Sequence, residues 1–106
     1  MTTITLRACA GQILALSERM YRYAQSSDWS GLSILETERQ KLLDSLFHHP
    51  QMPDALEHVA DILEQVMELD GKSIALGESA RREMSGKLDI GRRGNELVHI
   101  YRHFEH

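Results

Sequence analysis

The chain has 106 residues with two prolines, six per cent aromatics and a formal net charge of −4, which fits an all-helical domain with a modest core better than a sheet. The acidic balance excludes the strongly basic footprint of a nucleic-acid binder. The lone cysteine, Cys9, excludes an internal disulfide, and none is needed in a reducing cytosol. No apolar run is long enough to cross a bilayer. Arg7 and Gln12 interrupt what would be the apolar core of a signal peptide. The expectation is a cytoplasmic protein without membrane insertion and without direct nucleic-acid contact.

The first helix is predicted over about residues 3–24. Leu6, Cys9, Ile13, Leu16, Met20 and Tyr23 recur at steps of three and four, a coiled-coil-like seam. Ser26, Ser27 and Asp28 break that pattern and offer an N-cap. A second helix follows over about 29–48. Leu32, Leu35, Leu42 and Leu46 continue the spacing, and Trp29, Leu43 and Phe47 widen the face. Arg39 stands where this seam expects an apolar residue, so its guanidinium must reach water or a carboxylate. Glu36, one turn away, is the local candidate, and an acid on the first helix is another. His49, Pro50, Gln51, Met52 and Pro53 form a short turn, which implies an antiparallel neighbour.

The third helix is predicted from Pro53 to about Leu88. At 1.5 Å per residue it would reach roughly 50 Å. Val59, Ile62, Val66, Leu69, Ser73, Leu76 and Ala80 share one face. Asp54, Glu57, Asp61, Glu64 and Glu68 form an acidic ridge on the opposite face. Such a ridge is either a solvated surface or an electrostatic guide for a basic partner. Past Leu69 the apolar stripe turns to smaller residues, with Gly71, Gly77 and Gly86 close by. Small residues leave a shallow groove that another helix can enter. Gly86, Gly91 and Gly94 mark a hinge over 86–94. A short last helix follows from about Asn95, with Leu97, Ile100, Tyr101 and Phe104 as a complete apolar face. It is too short to be stable alone and must dock on something.

Little in the chain points to chemistry. Glu96-Leu97-Val98-His99 matches half of a carboxylate di-metal motif, but those bundles need two copies and two further glutamates. His99 and His103 share a face without a third ligand nearby in sequence. Cys9 falls inside an apolar seam, which favours an inert thiol. Gly91–Gly94 follows a helix rather than a strand and makes no phosphate loop. The expectation is a protein with no catalytic residue, no metal and no cofactor.

Ala24, Ser27-Asp28-Trp29, Leu32, Glu36, Arg39 and Leu42-Leu43 resemble the signature stretch of the FliT-type flagellar export chaperones. Nearly the whole chain is similar to that family's plan of two moderate helices, one long helix, a hinge and a short last helix. The resemblance implies an all-α antiparallel bundle in a single domain, 1–106, with 89–106 as hinge and regulatory helix. It implies a chaperone of type III export that binds the flagellar filament-cap protein. Export-ATPase components and the flagellar master transcription regulator are further partners that it implies, and a homodimer is compatible with it. Carried onto this chain, the client groove comprises Leu69, Ser73, Leu76, Ala80 and Met84. The gating helix carries Leu97, Ile100, Tyr101 and Phe104, and Trp29, Glu36 and Arg39 fix the first hairpin. The rival readings are a structural helical-bundle assembly protein and, behind it, a metal-binding bundle.

Overall fold

The computed structural model describes the backbone of residues 2–88 and the side chains of residues 5–85. It contains three helices, α1 (Thr2–Gln25), α2 (Trp29–Phe47) and α3 (Met52–Leu88), and no strand among the described residues. All three lie within two residues of the bounds expected from periodicity. The 37 residues of α3 set the length of a rod measuring 58 × 19 × 18 Å. Gly86, expected to open the hinge, is still helical. The rest of that hinge and the expected fourth helix lie outside the described residues.

Each junction has a local cause. The α1–α2 turn closes when Ser27 takes φ 59°, in the left-handed region. The Asp28 N–H then reaches back to the Tyr23 carbonyl at 2.8 Å. Asp28 next caps α2, its carboxylate accepting from the Gly31 N–H at 2.9 Å. At the second junction the His48 N–H donates to the Asp44 carbonyl at 3.0 Å, and His49 Nδ1 accepts from the Gln51 N–H at 3.0 Å. Pro53 falls in the first turn of α3, where a missing N–H costs nothing.

α1 is the central helix. It packs closely on both α2 and α3, whereas α2 and α3 approach each other little. Its buried residues are Leu6, Ala10, Ile13, Ser17, Met20 and Ala24. Periodicity finds Leu6, Ile13 and Met20 correctly. The other half of the seam is Ala10, Ser17 and Ala24, not Cys9, Leu16 and Tyr23, which are only half-buried. The reason is steric. A helix that packs on two neighbours buries a wider face, and its small residues take the places of closest approach. The core continues through Leu46, Met52, Ala55, Val59, Ile62 and Val66. Ile13, Leu46 and Val59 are fully buried, each worth about 1.5–3 kcal/mol relative to exposure. Phe47, expected to widen the buried face of α2, is instead 54 % exposed at the helix end.

Glycines on these helices differ sharply in what they do. A Cβ at Gly71 would meet nothing within 4 Å, and the residue is exposed. Gly71 therefore makes no room for a neighbour, contrary to the expectation that it shapes a groove. A Cβ at Gly31 would lie 2.9 Å from the Tyr23 ring and 2.9 Å from the Asp28 carboxylate. Gly71→Ala is expected to stabilise the protein by about 1 kcal/mol through helix propensity. Gly31→Ala should destabilise it by about 1–2 kcal/mol by displacing the capping carboxylate and the ring. Urea melts of the two variants check both signs.

Candidate docking surface

Arg39 joins all three helices. Its Nη1 donates to Asp70 Oδ1 of α3 at 2.6 Å and to Ser17 Oγ of α1 at 2.9 Å. Ser17, itself buried, donates to the Ile13 carbonyl at 2.8 Å. The carboxylate partner is therefore Asp70, neither Glu36 nor an acid on the first helix. Arg39 Nε is buried without a hydrogen-bond partner, so even this arrangement leaves one N–H unsatisfied. Glu36 is half-buried and makes no ion pair among the described residues. Trp29 is half-buried at the start of α2.

The register of α1 against α3 is set on the other side of the rod. Arg7 donates to both Asp61 oxygens at 3.2 Å and, through Nη1, to the His58 carbonyl. Lys72 Nζ sits 5.9 Å from the centre of the Tyr21 ring. Asp61 thus ties the acidic ridge to α1, and the Arg7 hydrogen bonds hold its carboxyl below the usual range. Glu57, Glu64 and Glu68 remain exposed on the ridge.

The expected client stripe lies along the α1 side of α3. Leu69, Ser73, Leu76, Ala80 and Met84 are all half-buried, and Gly77 among them is buried. Pairing of Arg7 with Asp61 places the end of α1 level with about residue 79 of α3, given equal rise per residue. Ala80 and Met84 therefore extend past the end of α1. The gating residues Leu97, Ile100, Tyr101 and Phe104 lie outside the described residues, as do Glu96, His99 and His103. Cys9 donates to the Leu42 carbonyl at 3.6 Å, and burial pushes its thiol pKa up, away from nucleophilic use.

The large exposed apolar residues of α3 are elsewhere. Leu56, Met67 and Ile74 are exposed by 48 %, 65 % and 60 %. Periodicity missed them because they fall beside the stripe rather than on it. Met67 and Ile74 flank Asp70 at i−3 and i+4, so they share the edge that reaches toward α2. Leu63 is on the same edge, and Leu43 and Phe47 of α2 lie on the matching edge near Arg39. Asp70 itself carried a readable signal. It is the acid in 54–70 that leaves the alternation of the ridge, just as Arg39 leaves the leucine seam.

A family model described as flagellar protein FliT matches residues 8–103. The chain belongs to the FliT family. No curated protein and no solved structure matches it. FliT membership implies a flagellar export chaperone, and the three-helix rod with one long helix is the body on which that role is carried. No helix among the described residues is long and apolar enough to cross a membrane.

Three outcomes follow from the ion pairs. Arg39→Leu should change stability by under about 1 kcal/mol, because a leucine there removes an incompletely satisfied charge. Asp70→Ala should cost about 1.5–3 kcal/mol, toward the lower end because Asp70 is one-third exposed. Urea melts that show Arg39→Leu as the worse of the two would reverse this account. Asp61 has a folded-state pKa below its unfolded one, so its contribution is present above the ordinary carboxylate pKa of about 3.9 and fades as pH falls through the lower, folded value. The melting temperatures of the wild type and Asp61→Asn should accordingly converge as pH drops through that window, with wild type the higher at neutral pH.

Proposed function

We propose that this FliT-family protein acts in the cytoplasm, binds the flagellar filament-cap protein before export, and performs no catalysis. The supporting observation is the family match over 8–103 on a rod whose longest helix keeps apolar surface beyond the end of α1. A client helix would lay its apolar face along Leu69, Ser73, Leu76, Ala80 and Met84, the helix-in-groove mode. Export-ATPase components or the flagellar master regulator would use the same recognition chemistry. Residues 89–106 form a hinge and a regulatory helix in this reading. Leu97, Ile100, Tyr101 and Phe104 compete with the client for the stripe. Weak docking suits such a gate, since ordering a hinge costs about 1–2 kcal/mol per fixed residue.

A gate that covers the site lowers apparent affinity by the fraction of molecules in which the site is open. Deleting 95–106 should then tighten binding of the cap protein's C-terminal helix in calorimetry. Leu76→Ser with Met84→Ser should weaken it in full-length and truncated protein alike. Equal affinity before and after truncation would refute gating, and no binding by either form would refute the client.

A further inference from the structure

We infer that α3 divides at Asp70 into two cooperative units, and that the distal one, residues 71–85, opens by itself while the rest of the rod stays folded. The helix is continuous in form but not in what supports it. Its first half contributes Met52, Ala55, Val59, Ile62 and Val66 to the hydrophobic core, at steps of three and four. The contribution stops there. Leu69, Ser73, Leu76, Ala80 and Met84 continue the same face, yet each is only half-buried. Among the described residues past Val66, Gly77 alone is buried, and it has no side chain to pack. Polar links follow the same division. Arg7 holds Asp61 and the His58 carbonyl, and Arg39 bridges Asp70 to Ser17. Just past that bridge, Lys72 reaches α1 as a cation 5.9 Å from the centre of the Tyr21 ring.

Composition changes at the same point. Residues 71–85 hold two glycines and three serines, and residues 52–70 hold neither type. Both favour the helix less than alanine does. Gly71 is exposed, and a Cβ there would meet nothing within 4 Å, so no packing offsets its backbone freedom. A segment this short is marginal as a helix on its own, so once it parts from α1 it melts as a unit. The α1–α2 hairpin does not depend on it. That hairpin is closed by the Asp28 cap and by the Tyr23 ring against Gly31. Opening therefore stops at the Arg39 bridge. A partner that binds only the ordered segment shifts this equilibrium and is bound less tightly by the fraction of molecules that are open. The proposed client stripe lies almost wholly on the distal unit, and only this consequence rests on the chaperone reading.

Residue-resolved native-state hydrogen exchange on the full-length protein, at urea concentrations below the melt, tests the division. Amides of 73–85 should exchange at least about ten-fold faster than those of 55–66 and share one urea slope, shallower than that of the core. Met20 and Leu35, on the hairpin, should follow the core. Val59→Ala should lower protection of 55–66 by about ten-fold or more and leave 73–85 unchanged, because the distal opening does not expose that site. Ile62→Val makes the same comparison with a smaller effect where Val59→Ala unfolds. Gly71→Ala should raise protection of 73–85 by about five-fold. Asp70→Ala should move the boundary, so that the amides of 67–70 leave the core group and join the distal one. If Val59→Ala or Ile62→Val lowers protection equally along all of α3, the helix is a single unit and the division is overturned. Protection that falls residue by residue toward 85, with no shared urea slope, is end fraying and overturns it too. No client enters the experiment, so its failure leaves the chaperone reading standing, and a client that fails to bind leaves the two units standing.

Discussion

A single arginine in a leucine seam is the constraint from which the rest of the rod can be understood. Arg39 cannot be buried without a partner, and it draws Asp70 from α3 and Ser17 from α1 to one nitrogen. This contact is the ion pair that links α2 to α3 among the described residues, while both helices pack on α1. Because its Nε stays unsatisfied, the bridge is better understood as fixing register and spacing than as supplying stability. An apolar residue in its place would let α2 and α3 settle against α1 without specifying where they stand relative to each other.

The second constraint is the small face of α1. Ala10, Ser17 and Ala24 recur every seven residues and let the neighbouring helices come close. A helix that serves two partners in this way uses up the apolar surface they would otherwise share. Among the described residues nothing covers the outer edges of α2 and α3, and Phe47, Leu56, Met67 and Ile74 are exposed. Exposed apolar surface is a liability for a protein with no partners and a resource for a chaperone.

The sequence by itself determined the three described helices, their bounds and most of the central core. Apolar spacing of three and four, an aspartate cap and a proline turn act within a few residues of one another, so they are legible without a fold. The spacing of tryptophan, glutamate and arginine on α2 also carried the family. Only the tertiary structure decided which neighbour each face meets. Periodicity cannot tell a helix that packs on one partner from a helix that packs on two, so it placed Cys9, Leu16 and Tyr23 where Ala10, Ser17 and Ala24 are buried. Nor can it choose among carboxylates for a distant arginine, since Asp70 lies 31 positions from Arg39 and becomes adjacent only when α3 folds back along α1. The exposure of Met67 and Ile74 is decided at the same level, because it depends on where α1 and α2 lie along α3 and not on any property of α3 alone.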